Sequence, residues 1–198
     1  NTADDRWAHL RKERSARMLE MGIIDQEHWP LPQWEDRVKP WDTIDHKPWH
    51  IRNMAIYAAM VDHMDQAVGS LVEALKKTKR MENTFIIYFH DNGACPEHLS
   101  GNGWNTANNI LAKAEKAGKT IAVGDKYDIP MGGPMTYGSV GHNWANAQNT
   151  PMRRYKSNVH NGGACTPALV QWPAGLKTKP GSISKQRGHV VDLMATCL

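Results

Sequence analysis

The stretch from Tyr57 to Phe89 constrains the fold more than any other part of the chain. Tyr57, Met60, Val61, Met64, Val68, Leu71 and Leu75 recur at steps of three and four, and Ala55, Ala58, Ala59 and Ala67 add helix propensity. This predicts an amphipathic helix over about residues 50–77. Lys76, Lys77, Lys79 and Arg80 then fall at the negative pole of the helix dipole, so the basic run reads as a helix end rather than a binding patch. Thr84-Phe85-Ile86-Ile87-Tyr88-Phe89 follows, apolar on both faces with two β-branched residues, as a strand buried between helix layers should be. A long helix feeding such a strand is half of an α/β unit, which sets the fold class as α/β.

The flanking segments fit that frame. Trp7, Leu10, Met18 and Met21 recur at roughly helical spacing behind the capping residues Asn1 to Asp5, predicting a helix over about residues 4–20. Pro30, Pro32, Pro40 and Pro48, interleaved with Trp29, Trp34, Trp41 and Trp49, predict an irregular, aromatic-pinned wrap. A Gly- and Asn-rich region from Asn102 to Gly141 holds one short helix near Thr106 to Lys116. A second strand-like run, Thr166 to Trp172, is closed by Pro173 and Gly175.

Charge and cysteine content remove several function classes. The chain carries 24 Lys plus Arg against 20 Asp plus Glu, and the basic residues are scattered among the acids, so no nucleic-acid partner is expected. No apolar run approaches the ~20 residues of a membrane helix. Cys95, Cys165 and Cys197 cannot make a closed disulfide set, and their spacing fits no zinc pattern. The chain opens on Asn1 rather than Met and stops at Leu198 straight after an apolar stretch, so we expect one partial domain, residues 1–198, of a longer polypeptide.

Two constellations carry chemistry. The predicted buried strand runs into His90-Asp91-Asn92-Gly93, and ligands of open α/β sheets bind beyond the carboxyl ends of strands. Adjacent carboxylate and amide oxygens suit Ca²⁺ or Mg²⁺ better than zinc, although Asp-Asn-Gly is also an ordinary turn. Lys156 stands before the double glycine Gly162-Gly163, where a close-approaching backbone leaves room for a compact anion and an ammonium can meet it as a point charge.

The chain resembles the type I, formylglycine-dependent sulfatases of the alkaline-phosphatase superfamily, most of all bacterial arylsulfatases. The resemblance rests on Tyr57 to Asp65 with Val68-Gly69, on Asp91-Asn92-Gly93-Ala94, and on Trp144-Ala145-Asn146 with Asn149-Thr150-Pro151 through Tyr155-Lys156. It continues through Gly162-Gly163, Trp172-Pro173 and His189 to Asp192, in order across nearly the whole chain.

The resemblance implies a sandwich with a mixed central β-sheet flanked by helices. It makes Asp91 and Asn92 ligands of a divalent metal, usually Ca²⁺ with Mg²⁺ as the substitute, and Lys156 the catalytic cation that binds the sulfate group. Asp-Asn rather than Asp-His at this strand end favours sulfate esters over the phosphonates and phosphodiesters that related hydrolases cleave. The formylglycine nucleophile comes from a Cys/Ser-X-Pro-X-Arg motif expected upstream of Asn1. Cys165-Thr166-Pro167-Ala168-Leu169 lacks the arginine, so Cys165 is expected to pack at a strand entry.

On this reading the segment belongs to a sulfate monoester hydrolase, is inactive alone, and works in the periplasm or outside the cell on a sulfated small molecule or glycan. The alternatives are a phosphodiester or phosphonate monoester hydrolase of the same superfamily and a non-catalytic binder of sulfated glycans. His142 and His160 are close enough in sequence to the site to touch substrate. His63 with Asp62, and His189 with Asp192, are expected to be structural hydrogen-bonded pairs. The insert from Pro96 to Ser139 is expected to set specificity, as loops at strand ends do.

Overall fold

A computed structural model describes residues 6–33, 35, 37–99, 105–124 and 126–198, with backbone alone for Arg6 and residues 105–108. The predicted caps Asn1 to Asp5 and the wrap residue Trp34 lie outside the described residues. Helix α1 spans Arg6–Glu20 and helix α2 spans Lys47–Lys77. α2 begins three residues before its predicted start because Pro48 sits in its first turn, where a missing N–H costs nothing. It ends at the basic run as expected, with the Thr78 N–H bonded to Ala74 O at 3.0 Å.

Strand β1 (Ile86–Phe89) follows α2, helix α3 (Asn105–Lys116) lies in the insert, and the two-residue strands β2 (Ala122–Val123) and β3 (Thr136–Tyr137) pair in parallel. Helix α4 (Gly141–Asn149), a single turn α5 (Asn161–Ala164), strand β4 (Ala168–Gln171) and helix α6 (Asp192–Cys197) complete the order. β1 pairs antiparallel with β4, in a register that sets Ile86 against Gln171 and Phe89 against Ala168. The two sequence-predicted strands are therefore partners, and β1 delivers its C-terminal end at residues 90–93. The architecture is α/β, with two small sheets among the described residues.

A tryptophan cluster forms the core. Trp7 of α1 is fully buried and meets Trp41 edge-to-face at 4.8 Å and Trp144 of α4 at 4.1 Å, with Ala147 closing the cluster. Such edge-to-face contacts add about 0.5–1.5 kcal/mol each beyond the area they bury. The Trp144 indole N–H donates to His50 O at 3.2 Å, which ties α4 to α2. The Arg11 guanidinium donates to Thr150 Oγ1 at 3.2 Å and to Pro32 O at 2.8 Å, and Arg14 donates to Thr150 O at 3.0 Å. α1 thus holds both the proline-rich wrap and the chain that leaves α4.

Burial departs from the periodicity. The apolar stripe of α2 is expected to face a core, yet Met60, Val61, Met64, Val68 and Leu71 are 38–61% exposed; Tyr88 of β1 reaches the stripe at Met64, its hydroxyl 3.7 Å from the sulfur. β1 is half-buried rather than enclosed, and β4 is exposed along its length. Cys165 faces solvent instead of packing at the strand entry. Asp62 accepts from Gln66 Nε2 at 2.8 Å rather than from its neighbour His63. Asp192 takes the backbone N–H of His189, at 2.7 Å, while the His189 ring accepts the Val191 N–H at 3.3 Å.

The insert is anchored on the first turns of α2. Tyr127 stacks flat on His46 at 4.1 Å and meets Trp49 edge-on at 5.1 Å, Arg52 donates to Met131 O at 2.7 Å, and the Asn53 amide donates to Ser139 O. Replacing Trp7 by Ala removes the hub of the aromatic core and should destabilise the fold by about 3–5 kcal/mol. Urea unfolding followed by tryptophan fluorescence, in the polypeptide that contains this segment, checks it.

Candidate functional site

Three backbone segments cross at the end of β1, and they cross because glycines let them. The Gly93 N–H donates to Gly163 O at 3.1 Å, Lys156 N–H to Ala94 O at 3.0 Å, and Gly162 N–H to Arg153 O at 2.8 Å. A Cβ on Gly93 would run into Gly162 O, one on Gly162 into Arg153 O and Arg154 O, and one on Gly163 into Asn158 O. At all three positions the obstacle is main chain, which cannot swing aside.

Asn149, at the end of α4, fastens the crossing. Its Oδ1 accepts the Ala94 N–H at 3.0 Å, and its Nδ2 donates to Arg154 O at 2.9 Å and Gly162 O at 2.6 Å. One half-buried amide therefore satisfies a polar group on each of the three strands of chain. Behind it the buried carboxylate of Glu35, only 3% exposed, pairs with Arg154 Nε at 3.1 Å and Arg153 Nε at 3.4 Å, and accepts the Arg154 N–H at 3.3 Å. These bonds hold Arg154 at φ 63°, and Ser157 follows at φ 71°, so left-handed conformations stand on either side of Lys156.

Asp91 and Asn92 lie at the rim as predicted. Asp91 is exposed, and Asn92 donates its amide N–H to Gly93 O at 2.8 Å, so its carbonyl oxygen is the atom available to a cation. Lys156 reaches the same rim. Its ammonium pairs with Glu97 Oε1 at 3.1 Å, and its pKa is raised by that hydrogen bond first, and by the charges of Cys95, Glu97 and Asp91 as well. The ammonium therefore keeps its proton over the whole neutral range.

Asp91 and Asn92 have the donor chemistry of a Ca²⁺ or Mg²⁺ site but not the number, since Ca²⁺ takes roughly six to eight oxygens. Among the described residues no cluster of three or more His, Cys, Asp or Glu completes the set.

The two predicted substrate histidines differ in placement. His142, in the first turn of α4, is half-buried, stacks on His98 at 4.9 Å and meets Tyr155 edge-on at 5.2 Å, one residue from Lys156. Burial lowers its pKa, and the nearby His98 and Arg37 add to the effect, which favours the neutral imidazole. His160 is exposed, and its backbone carbonyl caps α5 by accepting the Gly163 N–H at 2.8 Å and the Ala164 N–H at 3.1 Å. The structure brings Asp91, Asn92, Lys156 and His142 around one crossing and leaves the His160 ring in solvent.

Sequence reasoning missed Glu97, Glu35 and the hub role of Asn149. The signal for Asn149 was its place before Thr150-Pro151. Glu97 and Glu35 left none, because their partners lie 59 and 118 residues away.

The end of β1 thus carries an adjacent carboxylate and amide oxygen, and the loop that bears Lys156 is tied to the same segment through Ala94 O. A family model described as Sulfatase matches residues 11–198, and the chain belongs to the sulfatase family. It is 30% identical over 191 residues to an uncharacterized sulfatase of Schizosaccharomyces pombe, covering 96% of this chain and 32% of that protein. It is also 30% identical over 198 residues to an arylsulfatase of Klebsiella aerogenes, covering 96% of this chain and 38% of that protein. An N-acetylgalactosamine-6-sulfatase of Homo sapiens is 23% identical over 142 residues, 72% of this chain and 19% of that one. The chain spans about a third of the length of the first two relatives.

Asn149→Asp keeps the shape of the hub but cannot donate to Arg154 O and Gly162 O, and it sets a carboxylate against two carbonyls. The variant should lose about 2–4 kcal/mol of stability, measured by urea unfolding.

Proposed function

We propose that this chain is the C-terminal part of a sulfatase catalytic domain, completed elsewhere into an α/β sandwich with a mixed sheet, and that the whole protein hydrolyses sulfate monoesters. The observation that carries the reading is the tie from Lys156 N–H to Ala94 O, which sets a charged ammonium at the rim that bears Asp91 and Asn92. Lys156 binds a sulfuryl oxygen and offsets the negative charge that gathers on it in the transition state. Asp91 and Asn92 supply two oxygens to Ca²⁺ or Mg²⁺, and the remaining ligands come from outside this segment.

When bound, the metal polarises the sulfate group, and a formylglycine from upstream supplies the nucleophile. His142 presents a neutral imidazole beside Lys156 and His160 an exposed one, and both contact the organic part of the substrate. An amide at Asn92 favours a sulfate ester over a phosphonate. The arylsulfatase and the N-acetylgalactosamine-6-sulfatase among the relatives support an aryl or a sugar sulfate as substrate, and a periplasmic or secreted location goes with that class.

The exposed stripe on α2 and the exposed strand β4 support a partial domain, since apolar faces of this extent are normally packed. The segment alone is therefore inactive. Lys156→Ala in the full-length polypeptide should lower kcat on an aryl sulfate by about 10²–10³, and turnover within a few fold of the parent overturns the role of Lys156. Asp91→Asn should weaken Ca²⁺ binding on the order of tenfold or more, since even residues that only support a metal ligand cost that much, and calcium titration calorimetry reads it. Peptide mass spectrometry of the native protein should find a formylglycine upstream, and an unmodified chain lacking the Cys/Ser-X-Pro-X-Arg motif points instead to a binder of sulfated glycans.

A further inference from the structure

A lysine that must meet a substrate oxygen carries four flexible bonds, and holding it in one place costs up to about 2 kcal/mol of rotamer entropy. Glu97 is placed to meet that cost. Its carboxylate lies 3.1 Å from Lys156 Nζ, and its side chain is 22% exposed against 36% for the lysine. By contrast His9–Glu13 and Lys76–Glu73 are one-turn helix pairs whose side chains are 57–62% exposed, the kind of ion pair that contributes little.

The segment that bears Glu97 is itself fixed. Pro96 and Leu99 are buried, the Ser139 hydroxyl donates to Glu97 O, and His98 stacks on His142, which in turn meets Tyr155 edge-on. Residues 94–98 and 155–156 are thus joined at three points: the Ala94 O to Lys156 N–H bond, the Glu97 to Lys156 ion pair, and the ring ladder from His98 through His142 to Tyr155.

We propose that Glu97 is the positioning residue of Lys156, a built counter-ion that aims the ammonium at the rim beside Asp91 and Asn92. One of the three ammonium N–H groups is committed to Glu97, which leaves two for an anion. Glu97 acts through Lys156 and not on substrate, because its negative charge repels the same anion that the lysine attracts. Removing the charge therefore has opposed effects: the anion is repelled less, while the ammonium is no longer held where the reaction needs it. This inference rests on the sulfatase reading of Lys156, and its consequence is a split between kcat and KM.

The test compares Glu97→Gln, Glu97→Asp and Lys156→Ala in the full-length protein on an aryl sulfate. Glu97→Gln is nearly isosteric and should lower kcat by about tenfold or more, as misplacement of a reacting group by an ångström does, with KM and inhibition by inorganic sulfate unchanged or tighter. Glu97→Asp, which keeps the charge on a shorter stem, should recover part of the kcat, which a purely space-filling role does not predict. With acetic anhydride, Lys156 in Glu97→Gln should acylate faster than in the parent, relative to Lys76 in the same sample, as read by peptide mass spectrometry.

Turnover of Glu97→Gln within twofold of the parent while Lys156→Ala is inactive overturns the positioning role and leaves the sulfatase reading standing. Unchanged Lys156 acylation overturns it as well, whatever the variant does to yield. Activity retained in Lys156→Ala overturns the reading on which the proposal rests.

Discussion

One side-chain amide decides whether the site exists. Asn149 takes a hydrogen from the chain leaving β1 and gives two to the chains that carry Lys156 and the double glycine. Each of these polar groups would otherwise be stranded in a half-buried crossing, where an unmade hydrogen bond costs the whole desolvation of the group. The amide is also the only uncharged side chain able to accept on one face and donate twice on the other at that size. Everything chemically interesting then follows from geometry: Asp91 and Asn92 enter on the first segment and Lys156 on the second.

The crossing depends in turn on the tryptophan core. α4 carries Asn149 at one end and Trp144 in its middle, and Trp144 is locked against Trp7 of α1. Two arginines of α1 hold Thr150, the residue after Asn149. Glu35, from the proline-rich wrap, is a buried carboxylate that Arg154, mostly buried, and Arg153, largely exposed, neutralise from the solvent side. Leaving a buried carboxylate without its partner costs about 3–5 kcal/mol, so the Glu35–Arg154 pair acts to fix one conformation of the Lys156 loop.

Much of this was legible in the sequence, and the losses have physical causes. The three long helices, β1 and β4 follow from local periodicity and turn residues, which is why α2 and α3 lie within a few residues of expectation. The positions of Asp91 and Asn92 just past β1, and of Lys156 ahead of the double glycine, were legible from local pattern, whereas their roles came only with the family resemblance. The burial of the α2 stripe was misread because a periodic apolar face states only that a helix wants a partner, and not where the partner is. Glu97 and Glu35 were illegible because an acidic residue beside a proline or tryptophan looks like any solvated residue until a distant cation reaches it. Asp62 with His63 failed for geometry: adjacent positions on a helix point apart, whereas Gln66, four residues on, lies directly above Asp62.

The contact of three main chains at Gly93, Gly162 and Gly163 has a genetic consequence. Where a side chain obstructs a new residue, a second substitution can shorten the obstacle, and a lost function can be regained nearby. Here the obstacles are carbonyl oxygens of Gly162, Arg153, Arg154 and Asn158, which every amino acid carries. Lesions at these three glycines therefore have no local suppressors, and a lineage can leave this arrangement only by giving up the crossing itself.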